Sequence, residues 1–306
     1  GHAADPGRVI GPAQGYATIV AMFKTIKDDV WAYDAEWVPD ANAGRLLYDL
    51  PEDTPEAAVI KHMWCQNGAS EETPQPFLKL VLCRVVSIAF VRRKRDRYGE
   101  ITLDLRSRPK TPASVEDCDE AAIVGGFLDS VGKVRPQLVG FNSVASDLRI
   151  FIQRGIVRGI RADKFCQRPD KPWEGVDYFA RDSEWNVDLI NAIGGWGKAQ
   201  PSLNELARQS GIPCKIGGAD GGSTATLWLA GDIDGIVKYN EQDALSTFLL
   251  WLRTAFFAGH LTAQQYQDEQ KLLRKMVEER AGAADNEHLA EYLEEWDRLR
   301  RRATNP

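Results

Sequence analysis

The stretch Asp29–Trp37, DVWAYDAEW, is an apolar, strand-forming run interrupted by two carboxylates. Successive side chains on a strand point to opposite faces, so Asp34 and Glu36 share one face while Tyr33, Ala35 and Trp37 share the other. Two acids side by side on such a strand repel one another and are costly to desolvate unless a cation neutralises them, and hard divalent ions prefer oxygen ligands. Alone, a D-x-E suits a solvated face as well as it suits a metal site. Its partners elsewhere in the chain decide between the two.

Working outward, the apolar run over 78–91 and the segment 100–105 (EITLDL) read as two further strands, with Arg92, Arg93, Lys94, Arg95 and Arg97 as a solvated hairpin turn or a phosphate contact between them. These three strands form an antiparallel meander. Ser114 opens a helix over 115–131, followed by a strand at 137–141 and a helix over 145–153 that stops at Gly155. Ser202-Leu203-Asn204-Glu205 is a capping box for a helix ending at Gly211, and Gly217–Ser223 (GGADGGS) reads as a flexible loop. A long helix over 233–257 closes the core, and 263–306 is charged and helix-prone, with a break near Gly282. This alternation predicts an α/β domain over 17–262, a flexible N-terminus over 1–16 and a C-terminal helical extension over 263–306.

Two later segments supply acids. In Leu138–Phe151 (LVGFNSVASDLRIF) a strand runs into Asn142, and Asp147 sits in the first turn of the next helix. Ordinary capping would place an acid there, but so would a site at the C-terminal end of a core strand. In Lys238–Ala244 (KYNEQDA), Tyr239 and Asp243 are four apart and share a helix face. They could form a local hydrogen bond or aim at one point. The order D-x-E on a strand, N-x-x-x-x-D after a later strand and Y-x-x-x-D in the closing helix is more specific than any one part.

Composition narrows the chemistry. The 306 residues, 43% hydrophobic, can bury a sizeable core. The five cysteines are scattered without a C-x-x-C pair and the four histidines are far apart, so any metal is held by oxygen. There is neither an 18-residue apolar run nor a secretory signal pattern, and a cytoplasmic protein without a membrane segment is expected. The net charge of −6 means that contact with phosphate would rest on local basic groups. Residues 164–185 interleave Arg168, Lys171 and Arg181 with Trp173, Tyr178, Phe179 and Trp185, a mixture that suits a single strand.

The chain resembles the DEDD superfamily of 3′ to 5′ exonucleases, in its tyrosine-bearing subgroup. Within it, FNSVASD, SLNELARQSGIPCK with its GGADGGS loop, and YNEQDALSTFLLWLRTAFFAGHLT are similar to a bacterial family of predicted exonucleases related to the proofreading domain of family B polymerases. The resemblance implies a ribonuclease H-like mixed β-sheet flanked by helices, and a site made of Asp34, Glu36, Asp147, Tyr239 and Asp243. It implies two divalent cations, Mg2+ or Mn2+: Asp34, Glu36 and Asp243 would hold one, and Asp34 with Asp147 the other, to activate water and neutralise the scissile phosphate. Tyr239 would orient the water. Trp37, Phe141, Asn142 and Lys215 are candidate substrate contacts, Trp37 and Phe141 being also explicable as core packing and Lys215 as part of a mobile surface loop. Single-stranded DNA is the expected substrate, with RNA or short oligonucleotides as the alternative. A non-catalytic nucleic-acid-binding partner of a polymerase is a third possibility, against which the intact acids count.

Overall fold

The computed structural model describes residues 23–181, 183–194, 197–216 and 223–302. Of the segments expected to be flexible, residues 1–16 lie outside them, as does the glycine-rich loop expected over 217–223 except for its last residue, Ser223, which begins a helix instead. The central strand β1 (Asp29–Pro39) ends where Asp40 caps α1 (Ala41–Tyr48) by accepting the Asn42 N–H, and α2 (Glu56–Gln66) follows. Next come β2 (Cys83–Arg95) and β3 (Ile101–Arg108), a hairpin antiparallel to β1. Helix α3 (Glu120–Val134), capped by Asp119, crosses to β4 (Gln137–Gly140), which pairs parallel with the other edge of β1. Helices α4 (Asp147–Val157) and α5 (Asp163–Cys166) lead to β5 (Asn186–Asp188), parallel to β4. The order β3-β2-β1-β4-β5 is a mixed sheet of the expected ribonuclease H-like α/β kind. The chain then forms α6 (Leu189–Ile193), α7 (Leu203–Gln209), α8 (Ser223–Ala230), α9 (Ile233–Phe257), α10 (Ala263–Ala281) and α11 (Glu287–Arg302).

Alternation along β1 sorts two hydrophobic layers. Trp31, Tyr33 and Ala35 pack with Met63 of α2, Phe127 of α3 and Phe151 of α4. Val30 and Ala32 pack on the opposite face with Leu245, Phe248 and Leu252 of α9, and Leu273, Tyr292 and Trp296 of α10 and α11 belong to that same core. Among the described residues no helix is long and apolar enough to cross a membrane.

Four local expectations change. The helix expected over 115–131 begins only at Glu120 and runs to Val134, while Ser114 caps a separate 3-10 turn at Val115–Asp117. The strand expected over 78–91 begins only at Cys83, after a short 3-10 turn at Leu80–Leu82. The helix expected over 145–153 continues past Gly155, and the glycine with the positive φ that a chain reversal needs is Gly159, at 64°. Most of the basic run is not a turn, because β2 continues to Arg95 and the reversal is at Asp96–Gly99, where Asp96 accepts the N–H groups of Tyr98 and Glu100. Arg92 pairs with Asp29, and Arg93 is 3% exposed and donates to both carboxylate oxygens of Glu269 in α10, each at 2.7 Å. Burial of a strand residue that alternation turns towards α10 explains the change. Charge alone could not.

Removing one member of a buried ion pair strands the other charge. Glu269→Ala should therefore cost about 3–5 kcal/mol, whereas Arg93→Met combined with Glu269→Leu should recover most of it. Urea denaturation of the three proteins checks this, and equal losses in the single and double variants would refute it.

Candidate active site

β1 outruns its parallel neighbour. Its ladder with β4 covers only Val30–Ala32, so the stretch carrying Asp34 and Glu36 projects beyond the end of β4. A register shift against β2 falls between Glu36 and Trp37, the kind of bulge that re-aims a side chain. Above this face lies α9, started by Asp232, whose carboxylate accepts the Gly235 N–H at 2.9 Å. Its apolar residues sink into the core and bring Asp243 down onto β1. Ligand oxygens of Asp34, Glu36 and Asp243 lie within 4.8 Å of one another. One turn earlier, the Tyr239 hydroxyl donates to the Asp243 carboxylate.

Asp147 arrives by a different route. β4 ends at Gly140, where a Cβ would meet Ser143 Cβ at 2.4 Å, so the sharp exit of the chain requires glycine. Asn142 follows in the left-handed region, at φ 61°, and Asp188 at the end of β5 accepts the N–H groups of Asn142 and Val144 at 2.8 and 2.9 Å. The turn delivers Asp147 to the free edge of β1. There its Oδ1 accepts the Ala35 N–H at 3.1 Å, a group that β4 is too short to satisfy, while Oδ2 accepts the Ser146 hydroxyl at 2.7 Å. Asp147 thus stands beside the three-oxygen group without being part of it.

The electrostatics are those of crowded, poorly solvated acids. Asp34 is held well above the usual carboxylate range, first by burial and then by Asp147, Asp243 and Glu36. Burial pushes Glu36 up to about 8, against the pull of the Thr224 hydroxyl and Lys215. Asp147 and Asp243 are each raised to about 6, again by burial, opposed by hydrogen bonds from Ser146 and Tyr239 respectively. A set of hard oxygen donors that repel each other in a cleft fits a hard divalent cation, which would offset their charge.

Residues 75–296 match a family described as a predicted 3′-5′ exonuclease related to the exonuclease domain of PolB. The chain belongs to that family. No curated protein matches it. The match includes Asp147, Tyr239 and Asp243. Asp34 and Glu36 precede it, and the sheet brings them to it.

Of the other residues singled out in this exonuclease-family chain, Lys215 lies near enough for its charge to act on both Glu36 and Asp243. Phe141 is half-buried against the core and Asn142 is exposed on the turn before Asp147. Trp37 is not among the acids, because alternation turns its ring to the opposite layer, where it packs half-buried. The basic and aromatic segment 164–185 does not form a continuous binding strip. Tyr178 is in the core with its hydroxyl on the Pro136 carbonyl, Phe179 and Trp185 pack against the core, and Arg168 pairs with Asp177. The segment also returns at Asn186, which pairs with Leu138 near the start of β4, whereas the acids lie beyond the ends of the parallel strands. Two residues at the site escaped the sequence reading: Asp188, whose only signal is a helix-capping position, and Thr224, whose hydroxyl donates to Glu36 Oε2 at 2.7 Å and has no local signal at all.

Acids held above their ordinary values bind more protons folded than unfolded. Their contribution to stability is therefore lost as pH rises from about 4 through about 6 towards about 8, the range set by Asp147, Asp243 and Glu36. Mg2+ or Mn2+ should raise the melting temperature by several degrees, and by more at pH 8 than at pH 6, since cations compete with those protons. Asp34→Asn should melt above the wild type in chelator and lose most of the metal-induced rise. Differential scanning fluorimetry at both pH values reads this out, and a metal effect that persists in Asp34→Asn would show that the cation binds elsewhere.

Proposed function

We propose that the protein removes nucleotides one at a time from the 3′ end of single-stranded DNA, releasing nucleoside 5′-monophosphates, with two divalent cations, Mg2+ or Mn2+. The observation that carries this reading is the meeting of Asp34, Glu36 and Asp243, ligand oxygens within 4.8 Å, in a chain of a 3′-5′ exonuclease family. A nucleic acid substrate follows from the family. The strand preference and the residue roles are our reading.

Asp34, Glu36 and Asp243 would hold one cation, and Asp147 beside Ala35 would complete a second position with Asp34. When bound, divalent cations would lower the pKa of the attacking water and neutralise charge on the scissile phosphate and the leaving oxygen. The Tyr239 hydroxyl would orient that water. Burial, followed by Asp243, Glu36 and Asp34, holds its pKa well above the usual phenol value, so it stays protonated and serves as a hydrogen-bonding group in place of a base. Lys215, facing Glu36 and Asp243, would meet a phosphate. Phe141 and Asn142, on the turn into Asp147, would contact the terminal nucleotide. Trp37 would support β1 from its opposite face.

The test is digestion of 5′-labelled single-stranded DNA and of matched RNA, with and without Mg2+ or Mn2+. A metal-dependent ladder from the 3′ end is expected, stronger on DNA; a stronger ladder on RNA would reassign the substrate. Asp243→Ala should abolish cleavage, while Tyr239→Phe should slow it by about a hundredfold, the scale of one lost positioned donor. Near-normal cleavage by Asp243→Ala would overturn the site.

Substrate form is a separate prediction. With Asp243 and Tyr239 closing over β1, a paired end must fray before it enters, at on the order of a few kcal/mol per extruded base. Single strands and 3′ overhangs should be cut faster than blunt duplexes. Rates should also fall with added salt, though gently for a chain of net charge −6. Initial rates on the three substrates at two salt concentrations decide it, and a blunt-end preference would mean that the strand takes another path.

A further inference from the structure

Glu36 is the site acid whose own strand constrains it least. It occupies the last register position before the ladder between β1 and β2 shifts, so strand pairing alone does not set its side chain. What does reach it is a residue from far along the chain. Thr224, in the first turn of α8 and 1% exposed, donates its hydroxyl to Glu36 Oε2 at 2.7 Å.

The helix that carries this donor is itself anchored. Trp228 of α8 is buried with Val86, the β2 residue left unpaired at the register shift, and with Val38, two residues beyond Glu36 on β1. Its indole N–H donates to Glu56 Oε1 of α2 at 3.0 Å, and the Arg84 guanidinium lies over its ring at 5.0 Å. Thr224 therefore projects from a platform that grips the bulge beside Glu36. Thr224 is buried with its hydroxyl on the carboxylate, so solvent does not compete for the bond. The hydroxyl is also neutral. An arginine or lysine here would hold the carboxylate but cancel the charge that a cation needs, whereas a hydroxyl sets the plane of the group and leaves its charge available.

We propose that Thr224 is a positioning residue for the candidate metal centre, fixing the plane of the Glu36 carboxylate so that it faces a cation together with Asp34 and Asp243. This rests on the reading of those three acids as a metal site. Partners that orient metal ligands typically carry a tenfold to hundredfold effect on metal affinity when removed.

The experiment is a Mn2+ titration of the full chain, followed by electron paramagnetic resonance of the free ion, on the wild type, Asp34→Asn, Thr224→Val, Thr224→Ala and Thr224→Ser. Thr224→Val keeps the shape and removes the hydroxyl, Thr224→Ala removes it without a branched methyl, and Thr224→Ser restores it. The wild type should bind and Asp34→Asn should not. Val and Ala should bind at least about tenfold more weakly, with Ser within about threefold of the wild type. Wild-type affinity in both Val and Ala, alongside loss in Asp34→Asn, would overturn the role of Thr224 and leave the metal site standing. Equal weakening in Ser and Val would overturn it too, because the hydroxyl would then not be what matters. Failure of the wild type itself to bind Mn2+ would overturn the metal site and this inference with it.

Discussion

Four carboxylates drawn into one poorly solvated cleft repel each other, and much of the polar detail in this molecule acts to hold them there. Asp34 and Glu36 share a strand face, Asp243 comes down from α9 to within 4.8 Å of them, and Asp147 closes the free edge of β1. Folding them together without a counter-charge is unfavourable, as the upward displacement of all four acids from their ordinary range indicates. The site is thus an electrostatic strain that the rest of the core over-determines, as crowded acids at functional sites commonly are.

The supports come from both sides of the sheet. On the α9 face, a belt of buried polar groups brackets Asp243. Ser107 donates to Glu241 at 2.6 Å, His288 meets the other Glu241 oxygen at 2.9 Å, Gln242 donates to the His288 carbonyl at 2.9 Å, and Ser246 donates to the Pro213 carbonyl at 2.7 Å. Through His288 and Tyr292, α11 is packed against the turn of α9 that bears the site, and the Arg93–Glu269 pair ties α10 to β2. On the opposite face, Arg154 of α4 bonds to Glu120 of α3 at 2.7 Å and to Asp40 just beyond β1. Each of these charges is costly to bury alone and acceptable only with its partner in place.

Local rules carried well where local physics is sufficient. The Ser202–Glu205 capping box, the helix Ile233–Phe257 and the break between α10 and α11 near Gly282 were all legible, because caps, apolar periodicity and glycine act over a few residues. The same holds for Asp34 and Glu36 sharing a face and for Tyr239 and Asp243 sharing another. Where the reading slipped, a distant partner had changed the meaning of a residue. Arg93 looked like part of a solvated turn until Glu269 was brought to it, and Tyr178 and Trp185 looked like a binding strip until the core claimed them.

Strand and helix periods, encoded residue by residue, therefore announced an α/β core, while the order of acids and tyrosine carried the resemblance to the 3′ to 5′ exonucleases. Convergence is another matter. That β4 stops at Gly140 and leaves the Ala35 N–H for Asp147, that Asp188 braces the intervening turn, and that Thr224 reaches back to Glu36 across 188 positions all depend on chain segments meeting in space. Such contacts have no period and no fixed spacing. They exist only once the two hydrophobic layers have closed on β1, and that is why the folded chain alone reveals how its acids are held.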